Sequence, residues 1–275
     1  MSDTVARGTT NSPGTSPLDP RTAPGHQVLA AAGKKFLRPG GRTATRQLFE
    51  MANFQPGETV LELASSFGYS SIDLASRYGV NVIGIEKNPE SVERARANVA
   101  SAGLSDRITF IEGDIFRLDE IDRRFDAVVA EAILSMQSAP AKAKILTGVS
   151  ALLEPGGRFL SHELLIEGNE AEIYPALRGA IRVNTTPLSG EGWRENLANA
   201  GLIVTRHQIG AMGLLDPRTV LRDEGILDTL KIAWNLLARP DLRQRVLEMR
   251  EVFDRYRHEL GYILLLARKS AGANR

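Results

Sequence analysis

Residues 59–88, TVLELASSFGYSSIDLASRYGVNVIGIEKN, constrain the fold more than any other stretch of the chain. The apolar run 60–63 has the composition of a strand, and a loop of small residues, 64–68, follows it. A helical pattern then ends at a glycine, and a second apolar run stops at the acid Glu86. Strand, small-residue turn, helix, strand and terminal acid predict a βαβ unit that binds the adenosyl part of a cofactor.

The small-residue loop indicates which cofactor is bound. A dinucleotide needs G-x-G-x-x-G, because its diphosphate lies against bare backbone at a helix N-terminus, but Ala64 and Ser66 stand where glycines are expected. The spacing instead resembles motif I of the Rossmann-like S-adenosylmethionine (SAM) methyltransferases, acid-x-G-x-G-x-G. Glu62 is then the acid, and only the last glycine, Gly68, is retained. An ordinary buried βα turn is the alternative interpretation of this loop.

Three further features follow in the order that this family shows. Glu86 ends the second strand, where a carboxylate can accept hydrogen bonds from both ribose hydroxyls. Asp114 follows the third strand in the sequence EGDI, at the position where the resemblance implies contact with the adenine amine, and the Ile115 backbone N–H would reach a ring nitrogen. The PGG at 155–157 matches the L-x-P-G-G-x motif before the fifth strand. The resemblance covers residues 55–268.

The resemblance implies an α/β fold with three layers. Its sheet is Rossmann-like and seven-stranded, in the order 3-2-1-4-5-7-6, parallel with one antiparallel strand. Residues 212–258 intervene between the last two strands, which a short hairpin usually joins, and they carry two helical patterns. We therefore predict a helical cap at 212–258, inserted in a methyltransferase domain of residues 55–268. Residues 168–187 are interpreted as an irregular insertion with one short helix.

The amino-terminal part of the chain is predicted to contain a tail and a lid. Residues 1–25 include 15 Gly, Pro, Ser or Thr, which favours a disordered tail. Residues 26–54 follow as a helical lid. Its first helix spans 26–36, and the sequence LRPGG at 37–41 separates it from the second. Arg38 or Thr43 would face the site, although a simple helix–helix turn remains the alternative.

These features give a set of candidate site residues, most of which rest on the resemblance. The residues expected to bind the cofactor are Glu62, Ala64, Ser65, Ser66, Gly68, Glu86, Lys87, Asp114, Ile115 and Glu131. The residues expected to contact the acceptor are Arg38, Ser135, Met136, Met212 and Leu215. The segment EAILSM at 131–136 follows strand four, where methyl transfer takes place in this fold, and it lacks the N/D-P-P-Y/F signature of enzymes that methylate amide or nucleobase nitrogen.

The resemblance implies in-line attack of an acceptor atom on the sulfonium methyl of SAM, with S-adenosylhomocysteine as the product. The protein supplies alignment and exclusion of water. If the acceptor loses a proton, His162, Glu131 and Glu163 are the candidate bases, in that order; a structural histidine at a strand end is the alternative for His162. A non-catalytic nucleotide-binding protein and, less favoured, an NAD-dependent oxidoreductase are the competing functions. No metal site is expected.

Composition limits the partners. The formal net charge is +1 and the isoelectric point is near 8.0, so no long-range field attracts nucleic acid. The chain has no cysteine, no window of 18 apolar residues and no signal-peptide pattern at its N-terminus. We expect a cytoplasmic protein with a small-molecule acceptor, no nucleic-acid partner and no membrane insertion. The sequence leaves the acceptor and the oligomeric state open, a homodimer included.

Overall fold

The computed structural model describes residues 18–270, so the tail predicted at 1–25 lies mostly outside the described residues. The strands are β1 (Thr59–Leu63), β2 (Asn81–Glu86), β3 (Ile108–Glu112), β4 (Phe125–Glu131), β5 (Leu153–Ile166), β6 (Leu202–Ala211) and β7 (Leu260–Lys269). The α-helices are α1 (Gly25–Ala32), α2 (Gly41–Ala52), α3 (Tyr69–Tyr78), α4 (Pro89–Ser101), α5 (Ala139–Leu152), α6 (Glu170–Ile181), α7 (Gly190–Asn199), α8 (Pro217–Ala238) and α9 (Pro240–Arg255). Two short 3₁₀ helices span Ile115–Glu120 and Leu134–Met136.

The seven strands form one sheet in the order β3-β2-β1-β4-β5-β7-β6. Strand β7 runs antiparallel to both of its neighbours, and the other pairs are parallel, so the predicted fold class is confirmed. Leu63 at the end of β1 is in register with Ile85 on β2 and Ala130 on β4. The loops that leave these three strands therefore meet at one edge of the sheet, where open α/β sheets bind ligands.

Apolar side chains cover both faces of the sheet. Trp193 of α7 and Leu146 of α5 pack on one face, and Phe49 of α2 and Leu74 of α3 pack on the other. All four are fully buried. A third apolar cluster joins α1, α6 and α9 beyond the sheet edge. The helices of the lid (26–54) and of the cap (212–258) thus share a core of their own, which lies over the ligand edge.

Four local predictions differ from the structure. Helix α1 ends at Ala32, four residues before the predicted end at Phe36, because Gly33 turns the chain into the left-handed region at φ 106°. The segment after β5 contains a regular helix of 12 residues, α6, and not mainly irregular chain. The predicted tail is too long at its carboxyl end, since Ala23 and Gly25 are buried. The fourth difference concerns β5.

Strand β5 is longer than predicted. It pairs with β7 from Arg158 as far as Ile166, so His162 and Glu163 lie inside the strand and not at its end. Both side chains are completely buried. The residues after Glu163 are apolar (Leu-Leu-Ile), and the long antiparallel partner β7 extends the ladder past the point where the parallel strands stop.

The cap contains the two predicted helices, α8 and α9, but α8 is interrupted at Gly225. This glycine has φ 83° and ψ 171°, a backbone region open almost only to glycine. The break separates a first segment, which carries Asp223 and Glu224, from a second segment, 226–238. Within residues 18–270 no helix is long and apolar enough to cross a membrane.

Candidate active site

Two buried acids of the cap hold the lid in place. The Glu224 carboxylate accepts hydrogen bonds from the backbone N–H of Lys35, at 3.1 Å to each oxygen, and of Phe36 at 3.2 Å. The ammonium of Lys34 lies 3.3 Å from the same carboxylate. The neighbouring Asp223 accepts from the Arg42 backbone N–H at 2.9 Å. Lid and cap are therefore joined by hydrogen bonds to backbone as well as by their shared apolar core.

The PGG of the lid permits this close contact. Gly41 has φ 64°, and a Cβ there would lie 1.8 Å from a carboxylate oxygen of Asp223. At Gly40, a Cβ would meet Ala44 at 2.4 Å and Tyr262 of β7 at 2.8 Å. Both glycines are needed because the lid backbone lies directly against the cap and β7.

The carboxylate of Glu131, at the end of β4, is the centre of a buried polar cluster. It accepts hydrogen bonds from the hydroxyls of Ser70, at 2.6 Å, and Thr45, and it lies 3.1 Å from the Arg38 guanidinium. Burial alone would raise the pKa of Glu131, but the charge of Arg38 and the hydrogen bonds from His162 and Ser70 outweigh burial and bring it to about 2. Glu131 is therefore ionised, but its low pKa makes it a weak base and its carboxylate is already hydrogen-bonded, which argues against the predicted role of base. Arg38 forms this ion pair through its Nε, and its contact with the acceptor stays a prediction.

His162 does not have the geometry of a base either. Its Nε2 accepts a hydrogen bond from the Gly40 backbone N–H at 3.1 Å, and its Nδ1 faces Glu131 at 3.4 Å. Burial lowers the pKa of His162, although Glu131 acts in the opposite direction. The ring is therefore neutral, with its proton on the nitrogen that faces Glu131. Both nitrogens are engaged, so His162 fits the structural alternative, as an anchor for the lid.

Glu163 and Ser135 form a separate buried pair. The Ser135 hydroxyl donates to Glu163 at 2.6 Å, and the backbone N–H groups of Leu134 and Ser135 donate at 3.2 and 2.8 Å. Burial raises the pKa of Glu163 to about 7, although these hydrogen bonds oppose the rise. The pair ties the segment after β4 to β5. The Ser135 hydroxyl is engaged in this pair and does not line the apolar pocket described below, so its contact with the acceptor stays a prediction.

The motif I loop has left-handed backbone at the three motif positions, although two of the three residues are not glycine. Ala64 and Ser66 have φ 51° and 50°, in the left-handed region, as does Gly68 at 76°. Residues with a Cβ pay about 1–2 kcal/mol for this conformation. The Ser65 backbone N–H donates to the Ile85 carbonyl at 2.9 Å, and the Ser66 N–H donates to Glu86 at 2.9 Å. The loop is thus held against the end of β2.

The two motif acids occupy different environments. Glu86 is held by the Ser66 and Asn88 backbone N–H groups, each at 2.9 Å and each on a different carboxylate oxygen. Glu62 is 3% exposed and binds the Ser71 hydroxyl at the start of α3. Burial raises the pKa of Glu62 to about 7, against the Ser71 hydrogen bond and the Arg38 charge.

Asp114, Lys87 and Ile115 follow the adjacent strands. Asp114 accepts from the Phe116 N–H at 3.0 Å, and the exposed Lys87 ammonium lies 2.8 Å from its other oxygen. The Lys87 hydrogen bond lowers the pKa of Asp114. The Ile115 side chain lines a separate surface groove of about 670 Å³ beside α5, and the contact of its backbone N–H with adenine stays a prediction.

An apolar pocket lies where the lid, the cap, α6 and the exit of β4 meet. Its lining residues are Gly25, His26, Leu29, Leu37, Pro39, Ala132, Met136, Leu164, Leu177, Ile181, Val183, Met212, Leu214, Met249 and Phe253. Of the residues predicted to contact the acceptor, Met136 and Met212 line this pocket; Leu215 does not, but its neighbour Leu214 does. The free space is about 50 Å³, room for about three to five waters at about 10–15 Å³ each.

Sequence reasoning missed several residues of this region. Asp223 and Glu224 are not among the candidate residues, and nothing in their spacing indicates that they contact the lid. Ala132, at φ 56°, begins the loop after β4 and lines the pocket. His26 is the only ionisable side chain among the described pocket-lining residues. The N-terminal position of His26 in α1 gives no signal of the chain folding back over the sheet edge.

The residues at the sheet edge fit the adenosyl part of SAM. Each Glu86 oxygen carries one hydrogen bond and can accept another, which suits two ribose hydroxyls. Asp114 has remaining acceptor capacity for an amine. The loop at 64–68 has left-handed residues at the three positions where the motif has glycine. The arrangement contains the donors and acceptors that this cofactor requires.

Comparisons with known proteins agree with the geometry. Residues 54–186 match the model of a methyltransferase domain family. An uncharacterized protein of Haemophilus influenzae is 33% identical over 89% of this chain and 98% of its own length. Methyltransferase GfsG of Streptomyces halstedii is 26% identical, over 85% of this chain and 82% of that protein.

Solved structures have the same fold. A SAM-dependent methyltransferase from Geobacter sulfurreducens, in complex with S-adenosyl-L-homocysteine, superposes with a TM-score of 0.66 at 19% identity, over 88% of this chain and 97% of that chain. The comparisons favour SAM over the NAD and non-catalytic alternatives. The chain is a methyltransferase, an enzyme that has the fold of the class I SAM-dependent methyltransferases.

Proposed function

We propose that the methyl acceptor is a small, largely apolar molecule held in the pocket between lid, cap, α6 and β4. The observation that supports this most is the composition of the pocket wall, which apart from His26 consists of apolar side chains and glycine. The pocket touches Ala132 and Met136, which follow the end of β4 where methyl transfer takes place in this fold. Ligand sites of this kind combine a mainly apolar wall with few polar groups.

Bound SAM supplies an electrophilic methyl group, and the chain supplies the geometry. Glu86 and Asp114 would hold the adenosyl part through their remaining acceptor capacity. The buried Glu131 cluster would keep the β4 exit rigid, since four side chains fix its carboxylate. The apolar wall would exclude water and align the acceptor atom with the methyl group.

None of the three candidate bases, Glu131, His162 and Glu163, is free to take a proton from the acceptor. Glu131, His162 and Glu163 are all hydrogen-bonded and completely or almost completely buried. His26 lines the pocket from α1. We therefore assign to His26 any proton transfer that the acceptor requires.

The size of the pocket supports a small acceptor reached through an opening motion. About 50 Å³ is less than the roughly 300–1,000 Å³ of ordinary ligand pockets. Lid and cap must therefore separate from α6 or from the sheet edge to admit the acceptor, and then close on it. Such an enclosure does not accommodate a polynucleotide or a folded protein.

The test fills the acceptor pocket without changing the residues that are proposed to hold the adenosyl part of SAM. Met212→Trp adds bulk to the wall, and Met212→Leu is the matched control of similar volume. We expect Met212→Trp to lower kcat/KM for a small apolar acceptor on the order of 10- to 100-fold, while the calorimetric Kd for SAM changes less than about threefold. The control should keep full activity. Unchanged turnover in Met212→Trp would place the acceptor elsewhere.

A further inference from the structure

The second segment of α8 carries a stripe of exposed apolar side chains outside the pocket. Leu227, Leu230, Trp234 and Leu237 are 83, 63, 70 and 66% exposed. Their spacing of three, four and three residues puts them on one face of the helix. We call these four residues the α8 stripe. An apolar patch of this kind on a protein surface generally marks an interaction site.

Contacts on the other face of the helix hold the stripe outward. Ile232 is buried, and the Asn235 side-chain amide donates to the Ala32 carbonyl of the lid at 3.0 Å. Gly225 reorients the chain before the stripe begins, while Glu224 next to it binds the lid backbone. Because the helix is fixed from behind, it cannot rotate to bury the stripe against its own domain.

We infer that a second copy of this chain covers the α8 stripe. The spacing 3-4-3 reads the same in both directions, so two copies of the helix can pair antiparallel about a two-fold axis next to residue 232. Leu227 then lies opposite the partner's Leu237, and Leu230 lies opposite the partner's Trp234. A self-complementary surface of this kind is what a two-fold interface requires.

The area of the stripe is adequate for the centre of such an interface. A large aromatic side chain covers about 150–250 Å², and the exposed fractions leave roughly 500 Å² of apolar surface on the four residues. A stable interface covers about 800 Å² per partner, of which the rim is polar. Residues that flank the stripe supply the remainder.

Two other occupants fit less well. A helix that lies in a membrane surface usually has a polar face rich in Lys and Arg, but Lys231 is the only charged residue between Leu230 and Leu237. The chain's own residues 1–17 contain only Met1, Val5 and Ala6 as apolar side chains, too few to cover the stripe. If a membrane surface or residues 1–17 covered the α8 stripe, no second copy of the chain would be needed. The experiments below distinguish both cases from the dimer.

The first experiment measures molar mass by light scattering during size-exclusion chromatography of the full chain. We expect the wild type to have twice the chain mass of 30.0 kDa. Leu230→Glu should weaken the dimer on the order of 100- to 1,000-fold, because the two-fold axis applies the change twice. Leu247→Glu is the matched control, since Leu247 is a helical leucine outside the stripe and 54% exposed. A monomeric wild type, or a dimer that Leu230→Glu leaves intact, overturns the inference.

The second experiment tests the orientation, and the absence of other cysteines makes it specific. Leu227→Cys and Leu237→Cys chains are mixed and oxidised. The antiparallel pairing predicts a disulfide between the two variants. It predicts none between two Leu227→Cys chains, whose positions are displaced by ten residues, about 15 Å of helix, beyond the roughly 7 Å that a disulfide permits. Equal cross-linking of all pairs contradicts this geometry. Binding of monomers to vesicles of anionic lipid, or dimer loss only on removal of residues 1–17, likewise overturns it.

Discussion

Replacing Glu131 with glutamine tests whether the polar cluster beneath the lid stabilises the fold as its geometry indicates. The folded-state pKa of about 2 lies about 2.5 units below the ordinary value of 4.5. At about 1.4 kcal/mol per unit, the carboxylate contributes about 3 kcal/mol above pH 4.5. Because the folded-state pKa is lowered, this contribution is lost as the pH falls through 4.5 towards 2. Glu131→Gln also leaves the Arg38 guanidinium without its anionic partner.

We expect Glu131→Gln to lower the free energy of unfolding, measured in urea, by about 3 kcal/mol at pH 7 and by about 1.5 kcal/mol at pH 3. Glu112→Gln, an exposed acid at the end of β3, is the control and should change stability by less than about 0.5 kcal/mol. Combining Glu131→Gln with Arg38→Met should cost about 1–3 kcal/mol less than the sum of the two single changes. Strict additivity, or a loss at pH 7 below about 1 kcal/mol, would refute the reasoning.

Three further predictions follow from single contacts. Burial raises the pKa of Glu163 to about 7, so its stabilising contribution is complete below pH 4.5 and is lost as the pH rises through 7. The free energy of unfolding of Glu163→Gln in urea should therefore rise by roughly 3 kcal/mol relative to wild type between pH 4.5 and 8. A difference that does not depend on pH would contradict this. Gly41→Ala should lower the melting temperature more than Gly57→Ala. Both glycines have positive φ, but only a Cβ at residue 41 would lie against a buried carboxylate. Equal losses would show that the lid backbone can move to accommodate the Cβ. Glu86→Ala should weaken SAM about 5- to 150-fold in calorimetry, by loss of two hydroxyl contacts worth about 1–3 kcal/mol, and an unchanged Kd in a folded variant would remove Glu86 from the cofactor site.

The local features of the fold could be predicted because each depends on neighbouring residues. The strand, turn and acid at 59–88 are consecutive in sequence, and Asn88 caps α4 by accepting from the Ser91 N–H at 3.0 Å, as the Asn-Pro pair indicates. The sheet order came from the family resemblance, and the structure confirms it. The bounds of β5 were missed because its extension depends on the distant strand β7.

The candidate site was harder to predict, because its contacts join residues far apart in sequence. Asp223 meets Arg42 across 181 residues, and Gly40 meets His162 across 122. A histidine on a strand beside the expected site suggested a base, but the lid backbone occupies the nitrogen that a base would need. Ala64 and Ser66 suggested a departure from the motif, yet both adopt the left-handed φ angles that favour glycine.

The contacts between cap and lid have a consequence for the kinetics of turnover. Glu224 and Asp223 bind the lid backbone, and the lid contacts Glu131 at the sheet edge through Arg38 and also lines the apolar pocket. We therefore expect one opening of the lid to control the exchange of both proposed ligands. We expect release of S-adenosylhomocysteine and of the methylated acceptor to depend on the same opening rate, so solvent viscosity or a tighter lid should slow steady-state turnover without slowing a single methyl transfer.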